Sequence, residues 1–179
     1  VVDHDRFDET NLNRQALSSG PDLGQQKCEV AARVLENVNP GVEVETHPVR
    51  LNAINAKEIL AGANVIVDAL DNVPDRFSIQ AAARSLEIPL VHGAVAGFEG
   101  QLMTIFPEDK GFPLLYGTGD ADRHPEKSPE ALLGVPAVTP SFVATLQAME
   151  VIKILLNRGK PFRNIMVHVD MEAGEMNRF

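Results

Sequence analysis

The architecture of this chain is easiest to see in Asn64-Val-Ile-Val67-Asp68-Ala-Leu-Asp71-Asn72, where an apolar run leads directly into acidic residues. A short, continuous apolar run is typical of a strand that is buried on both faces of a sheet. Pro74, just beyond it, is favourable in the first turn of a helix. Because open α/β sheets bind their ligands at the carboxyl ends of such strands, Asp68 and Asp71 are candidate ligand-binding residues.

Apolar and amphipathic segments alternate on both sides of this strand. Residues 25–38 have helical spacing, residues 42–49 alternate as in a strand, and residues 89–93 predict the next strand. Residues 94–106 predict a turn with an antiparallel return, and Thr139-Pro140 predicts a helix with Thr139 as its N-cap. The residues that this helix is predicted to turn inward are Phe142, Leu146, Met149, Ile152 and Leu156. We therefore predict a single α/β domain with a doubly wound, mainly parallel sheet and an antiparallel extension.

A long segment without a regular pattern follows these strands. Residues 107–137 are rich in proline, glycine and charged side chains. A loop of this length in a compact domain is usually functional or disordered. We expect residues 107–137 to form a mobile, crossover-type loop.

Composition and charge limit the classes of function. The chain has 179 residues, of which 44% are apolar and 23% charged, as in an ordinary globular domain with a substantial core. A formal net charge of -9 argues against a nucleic-acid-binding surface. The single cysteine, Cys28, allows no internal disulfide and no zinc site built from several thiolates, and the five histidines lack metal-ligand spacing. We find no apolar run of membrane-spanning length and no signal peptide, and we predict a cytoplasmic protein.

A second group of polar residues lies near the start of the chain. Asp3 follows an apolar pair, and an acid at the end of a strand can accept hydrogen bonds from ribose hydroxyls. Downstream, Asn11-Leu-Asn-Arg14-Gln15 and Lys27 supply amides and positive charges that suit a polyphosphate. The residues alone leave another reading open, in which Asp3 caps a loop and the polar segment is a solvated surface with an arginine ion pair.

The acidic residues after the strand at 64–67 predict a magnesium site. Asp71 could provide the carboxylate that Mg2+ takes from a protein when phosphate oxygens complete its coordination shell. Alternatively, Asp71 and Asn72 cap the helix that begins near Pro74, and the two roles are compatible. Arg76 fits a structural role better, either by pairing with Asp71 or by supporting the loop.

Together, these motifs resemble the ThiF/MoeB/HesA family, bacterial relatives of the ubiquitin-activating enzymes. The resemblance spans nearly the whole chain and keeps the order and spacing of the motifs, although no single motif is specific. The motifs that carry it are Asp3-His-Asp5, Asn11-Leu-Asn-Arg14-Gln15, Gly24-x-x-Lys27, Asn39-Pro40, Asp68-x-x-Asp71-Asn72-x-x-x-Arg76 and Leu146-Gln-Ala-Met-Glu-Val-Ile-Lys153.

The resemblance implies a Rossmann-like domain with ATP-dependent adenylyltransferase activity. The substrate would be the C-terminal Gly-Gly carboxylate of a ubiquitin-like sulfur carrier protein, in thiamine or molybdopterin synthesis. ATP and Mg2+ would be required, and the protein would be a homodimer that borrows a basic residue from its partner.

The resemblance also implies roles for individual residues. Arg14, Lys27 and Asp71 would be catalytic, because they would place positive charge and Mg2+ against the reacting phosphate. Asp71 would be the magnesium ligand. Further polar residues would bind the nucleotide, the first of them at the ribose: Asp3, Asn11, Gln15 and Asn72.

The family pattern is incomplete in two respects. A glycine-rich loop and a segment that lends the basic residue to the partner subunit normally precede the Asp3 strand, and neither occurs in residues 1–179. We therefore expect this chain to lack its first βα unit and, by itself, to bind ATP weakly without adenylating a carrier. Many members bind zinc through two Cys-x-x-Cys pairs, but residues 112–116, where the first would fall, contain no cysteine. We expect no zinc.

Three other functions remain open at this stage. A dehydratase of the same family adenylates a carboxylate on a modified tRNA base, which the negative net charge disfavours. A nicotinamide-dependent oxidoreductase would share the fold and the ribose-binding acid, but it would leave Arg14, Lys27 and Asp71 unexplained. An inactive paralogue that only docks a carrier is the third, and the presence of the same three residues favours activity over it.

Overall fold

The computed structural model describes residues 1–117 and 133–179. These residues form two compact units, Val1–Leu51 and Asn52–Phe179. The first unit contains the residues predicted to bind ribose and phosphate from Asp3 to Lys27, and the second contains the acidic loop that follows Asp68. The predicted loop at 107–137 is described only in part, because residues 118–132 lie outside the described residues.

The first unit contains one regular helix. Helix α1 (Lys27–Val38) confirms the helix predicted at residues 25–38, and its C-cap is Asn39, directly before Pro40 and Gly41. Before α1 the chain forms two short 3₁₀ helices, Glu9–Asn11 and Gly20–Asp22. Cys28 is fully buried on α1, where it packs as a small apolar residue.

The strand predicted at residues 42–49 does not form. In this segment His47 makes an isolated parallel bridge with Val2, and no longer ladder develops. Pro48 has no amide hydrogen, so it cannot extend the pairing. Val42 is exposed, which shows that the alternating pattern does not mark a buried face here.

The second unit is built on a five-stranded sheet whose strands lie in chain order. The first two strands are parallel, and each later strand is antiparallel to its neighbour. The α/β class and the antiparallel extension are therefore confirmed. The strands are β1 (Ile66–Asp68), β2 (Leu90–Ala96), β3 (Glu99–Ile105), β4 (Val167–Asp170) and β5 (Glu175–Arg178).

The antiparallel part of the sheet is larger than expected. We predicted a mainly parallel sheet, whereas among the described strands only β1 and β2 run parallel. The difference arises because β4 and β5 add two antiparallel pairings to the predicted one between β2 and β3. Strands β2 and β3 are joined by the two-residue turn Gly97-Phe98, in which Gly97 adopts a φ of 57°. Glycine adopts positive φ at little cost, which favours such a tight hairpin. A second hairpin, through residues 171–174, joins β4 and β5.

Four helices accompany the sheet in the described part of the second unit. Helix α3 begins near the predicted position, with Asn72 as its N-cap and Pro74 in its first turn. Helix α5 begins one residue before Thr139, so this residue is not the predicted N-cap; its hydroxyl instead donates to the Gly97 carbonyl at 3.0 Å. The helices are α2 (Ala56–Ile59), α3 (Val73–Ser85), α4 (Phe112–Tyr116) and α5 (Val138–Leu155).

Helix α5 covers one face of the sheet, where its partly buried Leu146 and Ile154 pack on Val91 of β2 and its neighbours. Its buried stripe differs from the predicted one, because Gln147 and Glu150 turn inward to bond with the strands while the more apolar side chains stay exposed. The predicted inward residues that are exposed are Phe142, Met149, Ile152 and Leu156. The buried residues are Thr139, Val143, Gln147 and Glu150.

By length and composition alone, α5 is the one helix among the described residues that could cross a membrane. In this structure α5 packs against the sheet through polar contacts as well as apolar ones. The buried Glu150 Oε2 accepts hydrogen bonds from the Thr104 hydroxyl (2.6 Å) and the Phe162 amide (2.7 Å), and Lys153 pairs with the same carboxylate. These polar contacts attach α5 to β3 and to the segment before β4.

Candidate functional site

Asp3 directly follows Val2, which forms an isolated bridge with His47. Its amide donates to the His47 carbonyl at 3.2 Å, and its Oδ1 accepts from the Asp5 amide at 2.8 Å. This is the loop-capping role considered above. It engages one carboxylate oxygen, so it is compatible with ribose binding through the other.

Asn11, Arg14 and Gln15 share one turn of backbone, because the Asn11 carbonyl accepts from the amides of Arg14 (3.1 Å) and Gln15 (2.9 Å). Asn11 is buried, and its Oδ1 accepts from the Asp8 amide at 3.0 Å, which gives this oxygen a structural role. Arg14 Nη1 donates to the Thr10 carbonyl at 2.6 Å. Within residues 1–117 and 133–179 no carboxylate pairs with Arg14, so the ion pair of the alternative reading is not observed and the charge is available to an anion.

Lys27 begins α1 and is tied to Asp5 twice. Its Nζ donates to Asp5 Oδ2 at 2.9 Å, and its amide donates to the Asp5 carbonyl at the same distance. The hydrogen bond from Lys27 lowers the pKa of Asp5, against a smaller opposing effect of burial, so Asp5 is a carboxylate at neutral pH. The Asp5 side chain is half-exposed, so water can replace Lys27 as its partner and a phosphate group can compete with Asp5 for Lys27.

The ligand atoms of Asp3, His4 and Asp5 all lie within 4.8 Å of one another. Exposed acidic groups often cluster in this way without a metal. Two of the carboxylate oxygens already accept hydrogen bonds, from the Asp5 amide and from Lys27. We assign no metal to this cluster.

Asp71 is an exposed carboxylate in the second unit, between the end of β1 and the start of α3. Its Oδ1 accepts from Asn72 Nδ2 at 3.3 Å. The Asn72 side chain is largely committed to capping α3, since its Oδ1 accepts from the Asp75 amide and its Nδ2 donates to Asp75 Oδ2, both at 2.9 Å. Asp71 thus lies directly before the N-cap of α3. A contact between Asn72 and the nucleotide, as predicted, would compete with the hydrogen bonds by which Asn72 caps this helix.

Asp68, only three residues earlier, is completely buried and cannot be a metal ligand in this arrangement. Its Oδ1 accepts from the Leu70 amide at 2.9 Å, and its Oδ2 accepts from His92 Nδ1 at 2.7 Å. Arg76 Nε lies 3.6 Å from the same Oδ2. Arg76 therefore pairs with Asp68 rather than Asp71, and it also supports the loop by donating to the Leu70 carbonyl.

Tyr116, the last residue of α4, completes this buried network. Its hydroxyl accepts from Arg76 Nη1 at 2.7 Å and lies 3.3 Å from His92 Nε2. Phe112, from the same helix, packs edge-on against the His92 ring with a centroid distance of 4.9 Å. The network links the carboxyl end of β1, the middle of β2, the first turns of α3 and the end of α4.

The donors and acceptors of the network fix the protonation of His92. A carboxylate can only accept, so Nδ1 carries the proton shared with Asp68. Burial lowers the pKa of His92, which outweighs the opposite effect of Asp68, so the ring is neutral and Nε2 accepts from the Tyr116 hydroxyl. Each polar group then has a consistent role, except Arg76 Nε, which is buried without a hydrogen-bond partner.

The spacing of the histidines does not single out His92. The signal lies elsewhere in the sequence, because a histidine within the apolar run at residues 89–93 must find a buried partner. In the parallel register of β1 and β2, His92 stands opposite Asp68. The sequence therefore indicates that His92 needs a partner, and the register of the two strands identifies that partner as Asp68.

The predicted site residues thus fall into three groups of contacts. Hydrogen bonds join Asp3 to Lys27 through Asp5, and Asn11 to Arg14 and Gln15, within the first unit. Asp71 and Asn72 belong to the second unit. The assignment of these residues to ATP and Mg2+ stays a prediction.

Comparison with known proteins gives matches along the whole chain. Residues 1–179 match the ThiF family. The SAMP-activating enzyme E1 of Haloferax volcanii is 37% identical over 171 residues, which cover 95% of this chain and 62% of that protein. The sulfur carrier protein adenylyltransferase of Thermus thermophilus is 38% identical over 183 residues, which cover 97% of this chain and 66% of that protein. The chain therefore spans less than two thirds of the length of these relatives.

Solved structures show the same fold. Escherichia coli MccB superimposes with a TM-score of 0.83 at 19% identity, over 99% of this chain and 53% of that one. PaaA gives a TM-score of 0.78, also at 19% identity, over 99% of this chain and 54% of that one. At such low identity the similarity concerns the fold alone, and it confirms the Rossmann-like α/β class.

Proposed function

Since this chain belongs to the ThiF family, we propose that its function is ATP-dependent adenylation of the C-terminal Gly-Gly carboxylate of a ubiquitin-like sulfur carrier protein. One observation carries the proposal. The relatives named SAMP-activating enzyme E1 and sulfur carrier protein adenylyltransferase match at least 95% of this chain at 37% identity or more. A carrier of the thiamine or molybdopterin type is the proposed partner.

The proposed reaction is a displacement at the α-phosphorus of ATP. An oxygen of the carrier carboxylate forms a bond to the α-phosphorus, and the bond from that phosphorus to the oxygen bridging the α- and β-phosphates breaks. The products are a carrier acyl-adenylate and pyrophosphate. A carboxylate is already deprotonated at neutral pH, so the enzyme needs no general base and acts by positioning and charge neutralisation.

The first unit would supply fixed positive charge and ribose contacts. Arg14 has no carboxylate partner among the described residues, and its planar guanidinium is suited to paired contacts with phosphate oxygens. Lys27 would leave Asp5 for a phosphate, an exchange that the half-exposed position of Asp5 permits. Asp3 would bind the ribose, and Asn11 and Gln15 would lie beside the phosphates.

Mg2+ fits Asp71 and does not fit Asp68. Asp71 is exposed and receives one hydrogen bond from a side chain, whereas both oxygens of Asp68 already accept hydrogen bonds in a buried environment. Mg2+ is usually held by one or two carboxylates together with substrate phosphates. When bound, the ion would neutralise negative charge on the phosphates.

The test is pyrophosphate–ATP exchange by the full-length protein with purified carriers of the thiamine and the molybdopterin type. We expect exchange with one carrier, dependent on Mg2+, and none with the same carrier lacking its last two glycines. Thermal stabilisation by ATP with Mg2+, and not by NAD, should accompany it. Stabilisation by NAD without exchange would contradict the proposal in favour of an oxidoreductase, and binding of a carrier without exchange would favour a docking paralogue.

We also propose a homodimer, as the family resemblance implies. Light scattering coupled to size-exclusion chromatography of the full-length protein should give twice the mass of one chain. A monomer that is fully active would contradict the shared use of a basic residue.

A further inference from the structure

We propose that His92 and Tyr116 are positioning residues for Asp71, acting through Asp68 and Arg76 on the backbone of Leu70. This inference rests on the proposed function, because it assigns a purpose to the loop that carries the magnesium ligand. Neither residue touches substrate in this scheme. They hold the backbone that presents Asp71.

The first step concerns the two peptide groups of Leu70. Its amide donates to Asp68 Oδ1 at 2.9 Å, and its carbonyl accepts from Arg76 Nη2. The second of these peptide groups is the one that leads into Asp71. On the other side, Asn72 is fixed as the N-cap of α3. Asp71 is therefore an exposed residue between two anchored neighbours, which limits the directions that its side chain can take.

The second step concerns what holds Asp68 in place. Its side chain is bound by His92 Nδ1 at 2.7 Å, and its carbonyl accepts from Gln147 Nε2 at 2.8 Å. Gln147 reaches this carbonyl from α5 past Gly93, where a Cβ atom would come within 2.5 Å of the Gln147 amide. Asp68 is thus fixed through its side chain by β2 and through its backbone by α5, on opposite faces of the sheet.

The third step concerns Arg76, whose guanidinium must point at the Leu70 carbonyl. The Tyr116 hydroxyl accepts from Nη1 at 2.7 Å, so Tyr116 fixes the orientation of the guanidinium plane. The same hydroxyl lies 3.3 Å from His92 Nε2, so it connects Arg76 with the His92 ring that binds Asp68. Loss of one hydroxyl would loosen the contacts to both peptide groups of Leu70.

The chemistry of the network favours positioning over stability alone. Asp68, His92 and Arg76 are all buried, and buried ionic groups often stabilise a fold no better than apolar residues of the same volume. Arg76 Nε is even left without a hydrogen-bond partner. What an apolar core cannot do is hold the two Leu70 peptide groups in a fixed direction.

The experiment compares His92→Leu, His92→Asn and Tyr116→Phe in the full-length protein. Leucine removes both ring contacts, asparagine keeps an N–H group where Nδ1 meets Asp68, and phenylalanine removes only the hydroxyl. The matched control is Thr104→Val, which removes a buried hydrogen bond to Glu150 on the opposite face of the same sheet. The measurements are the Mg2+ dependence of pyrophosphate exchange, ATP affinity in EDTA, and amide hydrogen exchange at residues 70–72.

We expect His92→Leu to raise the half-saturating Mg2+ concentration by about 10- to 100-fold, as for other residues that orient a metal ligand. Tyr116→Phe, which is not expected to disturb folding, should raise it by about 3- to 10-fold, and His92→Asn should recover most of the loss. ATP affinity in EDTA should stay unchanged, and the Leu70 amide should exchange faster. In an Asp71→Asn background, none of these changes should alter the Mg2+ dependence further.

Two results would overturn the inference. One is an equal effect of Thr104→Val and Tyr116→Phe on the Mg2+ dependence, since that would show that the network acts only by stabilising the fold. The other is unchanged hydrogen exchange of the Leu70 amide in both His92→Leu and Tyr116→Phe. Failure of the proposed function is recognised separately, because the unmodified protein would then show no exchange with any carrier while the hydrogen-exchange measurement still decides whether the network holds Leu70.

Discussion

Asp68 and Asp71 lie three residues apart and have the same side chain, yet their surroundings give them different tasks. Asp68 is buried against His92 and Arg76, where its charge is matched by hydrogen bonds. Asp71 is exposed and receives a side-chain hydrogen bond from Asn72. The Asp68 carboxylate helps to hold the loop in place, and the Asp71 carboxylate is the one that can bind a cation.

Substitution by asparagine should separate these two tasks. Asp71→Asn should leave the free energy of unfolding within about 0.5 kcal/mol of the original value, as for most surface changes, while the rate of Mg2+-dependent exchange falls by at least about 100-fold. Asp68→Asn should lower the free energy of unfolding by about 3–5 kcal/mol, because it leaves the buried Arg76 charge uncompensated. Urea unfolding followed by circular dichroism measures both effects. Equal stability losses would contradict the division of roles.

Helix α5 shows how one element is fitted to its sheet. Gly100 of β3 lies beneath Val143, and a Cβ atom on Gly100 would overlap the valine methyl group. Gly93 of β2 leaves the corresponding space for Gln147. Helix and sheet therefore approach closely at two glycines, and the polar and apolar residues of the buried stripe are both needed there.

This fit predicts a compensating pair of substitutions. Gly100→Ala should lower the free energy of unfolding by about 1–3 kcal/mol, as expected for overpacking of a core. In a Val143→Ala background the same change should cost clearly less, since the added methyl group can occupy the vacated space. Urea unfolding of the four proteins of this cycle measures the coupling, and strictly additive losses would show that the two sites do not share the space.

Asp109 fastens the turn after β3 to the segment before β4. It accepts hydrogen bonds from the Phe106 amide, from Arg163 and from Asn164. Burial by itself would raise the pKa of Asp109, but these donors together lower it. A carboxylate with a lowered pKa in the folded state stabilises the protein above its pKa in the unfolded chain, and this contribution is lost as the pH falls through the lowered value.

Stability should therefore show a defined response to acid. Asp109→Asn should lower the urea midpoint at neutral pH, and the difference from the original protein should shrink as the pH drops through and below the ordinary range of an aspartate. Glu108→Gln is the matched control, because Glu108 is an exposed partner of the same Arg163 and should have a much smaller effect. A difference that is constant across this pH range would contradict the role of the Asp109 charge.

The elements of this fold were predictable to different degrees. The helix at 25–38 and the strand leading into Asp68 follow from local periodicity, so the sequence alone was enough to find them. The segment at 42–49 has the period of a strand but only the Val2 bridge as partner, and pairing partners are not visible in a local pattern. The buried stripe of α5 was missed because Gln147 and Glu150 are buried for their hydrogen bonds, which apolar spacing does not record.

For the candidate site, the sequence suggests residue types that suit the proposed ligands, but it does not reveal the contacts that hold those residues in place. The charges at Arg14, Lys27 and Asp71 stand out in the sequence because such side chains suit phosphate and magnesium. The role of His92 depends on the register of two parallel strands and on Tyr116, which lies 24 residues further along the chain. Contacts of that kind become apparent only when the strands are paired.

For the whole molecule, the proposed chemistry assigns catalytic roles to residues that lie far apart along the chain. Arg14 belongs to the unit Val1–Leu51, and Asp71 belongs to the unit Asn52–Phe179. The prediction concerns how the losses of activity combine when both residues are replaced. Residues that stabilise one transition state lose their effects together, so their combined loss is smaller than the product of the separate losses.

Arg14→Ala and Asp71→Asn should each lower kcat/KM for carrier-dependent exchange by at least about 100-fold, the size seen when one charge-stabilising group is removed. The double variant should be little worse than either single variant. Steady-state kinetics of the full-length protein measure the four corners of this cycle. Losses that multiply in full would indicate that the two residues act in separate steps.

The shortness of β1 has a consequence for how this protein fails on heating. β1 is three residues long and, among the described strands, pairs with β2 alone, so fraying of this edge needs far less energy than global unfolding. The loop that carries Asp71 follows directly after β1. Activity should therefore be lost several degrees below the temperature at which the helices unfold, so that over this interval the protein is still folded but no longer active.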